Sequence, residues 1–528
     1  MRVPTLVRAY CAHAVIVAAA VTLNGMPALS AQQAAPRRAP AQQAPQSSKR
    51  PPATTARKPA APVKVLTQAE QHMQAVETGL VPSVRVKGKA LGGMTLAARM
   101  KKYKVPAVSI VVIHDYAIEW AKAYGVADAS GTVAVDSATA FQAGPAGELV
   151  AAFAALRLAQ NRKLKLDEDI NKSLKIWKLP KSDFTKKNPV TARSLMTHSA
   201  GLVARPVAAY EASATLPTIT QVLFGTPPAK TAAVVSVEAP GEGIRSSATN
   251  FAVVQQLVED ISKRPFSSYA ADSVLEPLGM HRSGFFQPPS ETFAERAASG
   301  HDAAGKPLAG KWPIYANLAS AGLWSTPTDL AQLVLEIQVV SGGRPGKVLT
   351  PEYAMNMLVP EHVGWPGLGV ALEGREAGAR FRVGGTTMGY QTEVVGFVER
   401  GQGAVVMVNS ADAGPLVDEI LNAIATVYQW PGYVPAEKLV AKVDPKVFDR
   451  FVGRYTVDSR EVSVIKKTNK LFIGPAGKET VELMPESVSD FFTAEPAAIY
   501  SFVFDEGGKV QAFTQRERNN SSRWDRKN

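Results

Sequence analysis

Between residues 105 and 127 the chain runs Val108-Ser109-Ile110-Val111-Val112-Ile113 into His114-Asp115-Tyr116, and a second alternating stretch then reaches Tyr124-Gly125. Period-two patterning around a short polar break predicts a β-hairpin. Over 145–161 the spacing lengthens, with Leu149, Phe153, Leu156 and Leu158 supplying the apolar positions of a helix. Further helices are predicted at 68–77, 191–198, 250–261 and 327–340. Strands are predicted near 383–385, 391–398 and 403–409. This is an α/β layout in which early and late strands share a sheet and helices fill the middle.

After Trp430-Pro431-Gly432 the texture changes. A short helix-then-strand pattern over 448–455 precedes brief alternating stretches at 461–465, 470–473, 480–484, 491–493, 499–504 and 510–515. Such spacing predicts a small antiparallel barrel or sandwich. The boundary falls near Lys438, giving an α/β unit over 66–437 and a small all-β unit over 438–528.

The N-terminus is different again. Arg2 and Arg8 precede an apolar run over 9–23, and small residues follow at Ala28, Ser30 and Ala31. The pattern reads as an export signal over 1–31, so the protein is expected to be periplasmic or secreted. The run is short for a membrane span, and an uncleaved signal serving as an anchor is the alternative. Tyr10 before Cys11 is bulkier than a lipid-attachment signal wants. Residues 32–65 are Ala, Pro and Gln with Arg37, Arg38, Lys49, Arg50, Arg57, Lys58 and Lys64 and no acid. A segment this poor in apolar surface is expected to be a disordered basic linker. It reads as a spacer with solubilising charge. Its cations also fit an anionic envelope surface, a contact that salt would weaken.

Composition narrows the chemistry. Of 528 residues, 46% are hydrophobic and 20% charged, an ordinary globular balance. The net charge of +13 does not say where the charge sits, and no nucleic-acid partner is expected from it. One cysteine and seven scattered histidines offer neither a disulfide framework nor a zinc-type cluster, so no metal and no cofactor is expected.

A series of local motifs then appears in order: Phe141-Gln142-Ala143-Gly144, Leu164-Lys165-Leu166-Asp167, Ser194-Leu195-Met196-Thr197-His198-Ser199-Ala200-Gly201-Leu202, Pro240-Gly241, Leu275-Glu276-Pro277-Leu278-Gly279-Met280, Ala321-Gly322-Leu323-Trp324-Ser325-Thr326, Gly384-Gly385 and Val408-Asn409-Ser410. The whole resembles the serine β-lactamase-related superfamily of class C β-lactamases, penicillin-binding DD-peptidases and esterases. The C-terminal unit is similar to the lipocalin-like barrel often appended to such proteins. The resemblance implies an antiparallel sheet flanked by helices, and hydrolysis of amides or esters through a serine acyl-enzyme. It also implies three elements: Ser-x-x-Lys, Tyr-x-Asn and a Lys- or His-x-Gly strand.

All three elements are replaced. Pro145 stands at the serine position and Glu148 at the lysine position. Proline brings no nucleophile and no backbone N–H, and a missing oxyanion-hole donor costs about 2.7–4 kcal/mol of transition-state stabilisation. Glu148 reverses the charge that would activate a hydroxyl. Both residues also suit a helix start without any chemistry. Ser246 and Ala248 stand where Tyr-x-Asn belongs, and Val383 and Gly385 where His-x-Gly belongs. The remaining Ser463-Val464-Ile465-Lys466 falls in a predicted strand, where alternation sends Ser463 and Lys466 to opposite faces. Tyr315-Ala316-Asn317 matches Tyr-x-Asn only in spelling, and His198 beside Ser199 is expected to be structural.

The expectation is therefore a catalytically silent relative whose cleft, lined by Gln142, Glu148, Ser246, Thr386 and Tyr390, holds a peptide, a cell-wall fragment or another small ligand without cutting it. The carboxylate at Glu148 favours amine-bearing ligands. Two rivals stand beside it. One is a hydrolase rebuilt on Glu148 as base or Ser246 as nucleophile; the other is a structural role in the envelope carried by the barrel and linker.

Overall fold

The computed structural model describes residues 66–89, 94–458, 460–475, 477, 480–517 and 520–527. The expected export signal and basic linker lie outside them. Among the described residues no helix is long and apolar enough to cross a membrane.

Thr67 opens the first helix, α1 (Gln68–Thr78), with a capping box: its hydroxyl accepts from the Glu70 N–H while the Glu70 side chain accepts from Thr67 N–H. A second helix, α2 (Leu96–Tyr103), leads into the predicted hairpin, β1 (Ala107–His114) and β2 (Ala117–Gly125). Three long helices follow, α3 (Ala146–Gln160), α4 (Ala248–Ser262) and α5 (Pro327–Ser341). The chain then returns through β3 (Ala371–Glu373), β4 (Arg380–Thr387), β5 (Tyr390–Phe397) and β6 (Gly403–Val408), and closes the unit with α6 (Gly414–Val427). The sheet order is β2-β1-β6-β5-β4-β3, antiparallel throughout, so early and late strands are direct neighbours.

Both faces of this sheet are covered, which explains why β1 reads as an almost unbroken apolar run. Val108, Ile110 and Val112 pack with residues of α1, α2 and α6, such as Val76, Leu96 and Leu416. Val111 and Ile113 join the larger core made by the middle helices, with Phe153 and Leu330. Helix α3 runs through that core with nearly every residue buried, which its alanine-rich, all-round apolar sequence permits.

The C-terminal unit is a closed eight-stranded barrel: β7 (Gly453–Val457), β8 (Arg460–Lys467), β9 (Lys470–Gly474), β10 (Val481–Pro485), β11 (Asp490–Ala494), β12 (Ala497–Phe504), β13 (Val510–Glu517) and β14 (Asn520–Arg526). Its centre is filled by aromatic rings. Phe451 lies 4.6 Å from Phe502, and Tyr455 lies 4.9 Å from Phe513, ring centre to ring centre. Strand β14 is absent from the sequence expectation because Trp524 is its one large apolar residue. Two seams have the shortest registers among the described residues: β10 meets β11 through two residue pairs, and β7 meets β14 through Tyr455–Arg526 and Thr456–Asp525, with Lys527 N–H donating to Arg454 O at 2.8 Å beyond them.

The barrel is fastened to the α/β unit by charge. Glu495, in the turn between β11 and β12, pairs with Arg99 and Lys102 of α2. Arg99 is itself buried and its Nε donates to Glu419 Oε2 of α6 at 2.7 Å, while the Tyr103 hydroxyl donates to Glu419 Oε1 at 2.8 Å. Burial alone would ease the proton off Arg99, but Glu419 outweighs it and holds the guanidinium well above its ordinary range.

Candidate functional site

The cleft begins with a glycine. Gly144 has φ +52°, and a Cβ there would stand 2.9 Å from Thr387 Cγ2, so only glycine allows the sharp turn from the short strand Phe141–Gln142 into α3. That turn sets Pro145 and Glu148 on the wall of a cavity of about 1290 Å³. Ser246, Ala248, Val383 and Gly385 line the same cavity, as does Thr386. The positions that replace the three family elements thus converge in space.

Pro145 caps α3 with φ −59° and ψ −14°. Its ring packs against Gly385 of β4, where a Cβ would stand 3.0 Å from Pro145 Cγ. The ring therefore fills the ground between helix start and strand, and the missing N–H leaves the strand facing no donor from residue 145.

Glu148 is the centre of a small network. Its Oε1 accepts from Ser320 Oγ at 2.6 Å, and its Oε2 lies 3.4 Å from His198 Nε2. Ser320 belongs to a single π-helical turn, Leu318–Gly322, which approaches α3 closely at Gly147; a Cβ there would stand 3.1 Å from Ala319 O. His198, at φ +57°, turns its Nδ1 to Asn250 Nδ2 at 3.1 Å and to the Ser247 N–H at 3.4 Å. Both of those neighbours are donors. Nδ1 then carries the lone pair and Nε2 the proton, which stands on the side of Glu148 Oε2 at 3.4 Å. In this tautomer His198 is no base for a serine, since its one basic nitrogen is spoken for by two N–H groups. Ser247 Oγ continues the chain by accepting from Arg205 N–H at 2.9 Å.

At the other end of the cleft Arg382 donates from Nε to Glu393 Oε1 at 2.6 Å, with Asp418 at 3.9 Å and Glu373 at 4.0 Å. Burial would lower its proton affinity, but the charge of Glu393 and its neighbours raises it well beyond the ordinary arginine range. This cation is matched internally.

Two expected cleft residues are not in the cleft. Gln142 is fully buried: it pairs across to Trp324, and its Nε2 donates to Pro313 O at 2.7 Å. Tyr390 is also fully buried, with its hydroxyl donating to Ala298 O at 2.7 Å and its ring 5.9 Å from that of Trp324. Burial pushes its phenol well above the ordinary tyrosine range. Both side chains point from their strands into the helical core and support the cleft from beneath. Ser246, by contrast, is exposed, and among the described residues nothing hydrogen-bonds its hydroxyl. Tyr315 is buried and Asn317 caps the π-helical turn, its Nδ2 donating to Ala248 O at 2.8 Å. Ser463 and Lys466 lie on β8 of the barrel, and Lys466 pairs with Asp449 at 2.8 Å. Among the described residues no group of three or more histidine, cysteine or carboxylate side chains is placed to hold a metal ion.

Sequence reading missed the role of His198 and gave no sign of Ser320 or Arg205. Ser320 lies 172 residues from Glu148, and no local pattern marks it.

Comparison with known proteins gives this geometry its setting. The sequence pattern of the Beta-lactamase family matches residues 94–429. Protein flp of Staphylococcus aureus (strain N315) is 23% identical over 233 residues, and the match covers 43% of each chain. The chain therefore aligns with less than half the length of that relative. The human putative beta-lactamase-like 1 is 30% identical over 131 residues, covering 24% of each chain. Among solved structures, the octameric penicillin-binding protein homologue from Pyrococcus abyssi superposes with a TM-score of 0.54 at 21% identity, covering 81% of this chain and 98% of that one, a likeness of fold.

Proposed function

Because the chain belongs to the Beta-lactamase family yet holds a proline and a carboxylate where that fold carries its nucleophile and cation, we propose that it is a binding protein which holds an amine-bearing ligand without acylation. The observation that carries this reading is the setting of Glu148. A carboxylate has about four lone-pair sites. Ser320 uses one of them, His198 Nε2 stands 3.4 Å from the other oxygen, and the side chain keeps 12% of its surface open towards the cleft. The remaining sites suit a ligand ammonium, and charge-assisted bonds of that kind are the strong ones. The replacement of the hydroxyl and N–H at 145, of the cation at 148 and of the phenol and amide at 246 and 248 supports a cleft that forms no acyl-enzyme.

A peptide or cell-wall fragment with a free amine fits this cleft. The export pattern of residues 1–31 supports a periplasmic or secreted location, and the cations of 32–65 support contact with an anionic envelope surface.

Incubation with a fluorescent penicillin and a fluorophosphonate, followed by intact-mass measurement, is expected to give no covalent adduct. Titration calorimetry with alkylamines is expected to show binding that Glu148→Gln weakens by about 10-fold or more. An adduct, or amine binding indifferent to Glu148→Gln, overturns the proposal. One observation favours a second reading: the 2.6 Å bond from Ser320 Oγ to Glu148 is the geometry of a hydroxyl beside a base. That reading requires a fluorophosphonate adduct on Ser320.

A further inference from the structure

Positive charge from residue 66 onward is concentrated in one segment. Residues 1–65 hold nine arginines and lysines and no acid, so a total of +13 leaves +4 for residues 66–528. Residues 162–187 alone hold nine cations against four carboxylates, a surplus of +5, and the rest from 66 onward is close to neutral. Those four carboxylates are already engaged. Asp167 pairs with Arg193, Glu168 with Lys165 and Lys172, and Asp183 with Lys186. Asp169 caps the short helix Ile170–Ser173 by accepting from the Asn171 N–H at 2.9 Å. Lys175 reaches only a carbonyl, Lys172 O at 3.4 Å, and Lys178 donates to Asn171 O and Leu174 O. Among the described residues neither of them, nor Lys181, has a carboxylate within ion-pair distance.

The middle of this segment is a closed loop. Asn171 clamps its neck: Nδ2 donates to Leu179 O at 3.0 Å, and Oδ1 accepts from the Leu179 N–H at 2.9 Å. Leu174, Trp177 and Leu179 turn inward and are buried in the helical core. Asp260 of α4 holds the flank by accepting from the Lys175 N–H at 2.6 Å. Nine residues pinned at neck, floor and flank present Lys172, Lys175, Ile176 and Lys178 outward, with Lys181 two residues beyond the clamp, and all five are exposed. Ile176 is 67% exposed among these cations, so apolar surface and positive charge share one fixed tip.

We propose that the loop 171–179 is a docking surface for an anionic lipid bilayer, with Ile176 entering the headgroup layer and the lysines meeting lipid phosphates. An apolar side chain set among lysines is the composition of segments that lie on such a surface. An anionic leaflet attracts cations close to it without directional bonds. Lysine suits that role as a compact point charge on a flexible stem, whereas forked recognition of single phosphates or carboxylates favours arginine, which residues 171–181 lack. Because the clamp and the buried residues already hold the loop, docking has little chain left to order. The inference is independent of the amine reading and of the basic segment 32–65.

The test is co-sedimentation of the full chain with vesicles of equal parts phosphatidylcholine and phosphatidylglycerol, beside vesicles of phosphatidylcholine alone. The anionic vesicles are expected to bind it, and the neutral ones at least about 10-fold more weakly. Lys175→Gln combined with Lys181→Gln is expected to weaken binding by about 25-fold, as roughly 5-fold for each charge withdrawn implies. Ile176→Ser is expected to weaken it by about 5-fold or more and to leave its salt dependence unchanged, since apolar contact is lost and no charge is. Thermal melting checks that both variants are folded. The inference falls if the anionic vesicles bind nothing, if neutral vesicles bind equally well, or if either variant binds as the native protein does. Binding that survives both variants belongs to another surface, such as the segment 32–65.

Discussion

Placing lysine at position 148 should injure this protein, although lysine is the residue that the family resemblance implies there. The Glu148 carboxylate accepts from Ser320 Oγ at 2.6 Å, and its Oε2 faces His198 Nε2 at 3.4 Å. An ammonium accepts nothing, so Glu148→Lys sets a donor against the Nε2–H. His198 could escape by moving its proton to Nδ1, but Nδ1 already faces Asn250 Nδ2 at 3.1 Å and the Ser247 N–H at 3.4 Å. Either choice leaves two donors facing one another beside a buried Asn250. At about 1–3 kcal/mol for each buried polar group left without a partner, the substitution should destabilise by roughly 2–5 kcal/mol. Glu148→Gln keeps one oxygen for His198 and offers an amide to the Ser320 hydroxyl, so its cost should stay near 1 kcal/mol. Guanidinium unfolding of the three proteins measures both differences, and ring nitrogen shifts in NMR report the tautomer. A lysine variant as stable as the glutamine variant, with His198 still protonated at Nε2, would refute the reasoning.

Two further outcomes concern the joint between barrel and α/β unit. Arg99→Met leaves Glu419, whose side chain is 2% exposed, without its cation, and should cost about 3–5 kcal/mol in chemical denaturation; adding Glu419→Gln should recover much of that. A single-variant cost below about 1 kcal/mol contradicts the role given to this pair. The second outcome is set by pH. Burial works against the charge on Glu495, but Lys102 and Arg99 hold its carboxyl below the ordinary value of 4.5. A carboxyl lowered on folding stabilises fully above its unfolded value and loses that contribution as pH falls through its folded one. The difference in melting temperature between native protein and Glu495→Gln should be flat above about pH 5 and shrink on further acidification. A difference that persists into acid counts against the contact.

What could be read from the sequence followed range of interaction. The period of β1 and β2, the helical spacing of α3 and α5, and most barrel strands are local properties, visible in a few residues. Strand β14 is different: its pairing to β7 and β13 is set by closure of the ring, which Asn520-Ser521-Ser522-Arg523 does not advertise. Helix α6 has the spacing of Leu416, Ile420 and Ile424 yet was not among the expected elements. At the site, Pro145 and Glu148 are legible because they interrupt a contiguous motif. Their partners are not, since Ser320 and His198 reach Glu148 only through tertiary folding. Gln142 and Tyr390 sit beside legible motifs, but which way a strand residue faces depends on what covers each side.

The two short seams of the barrel divide its eight strands evenly, four on each side. Mechanically the ring is two four-stranded leaves, and the seam between β14 and β7 leans on Arg526, whose guanidinium donates to Val452 O at 2.6 Å and Arg450 O at 3.1 Å. Glu495 belongs to the leaf made of β11 to β14 and grips the neighbouring unit through Arg99 and Lys102. The other leaf is tied as well, since Lys89 Nζ lies 3.9 Å from Met484 Sδ of β10 and the Ala441 N–H donates to Pro485 O at 2.8 Å, so a ring that opens stays moored on both sides.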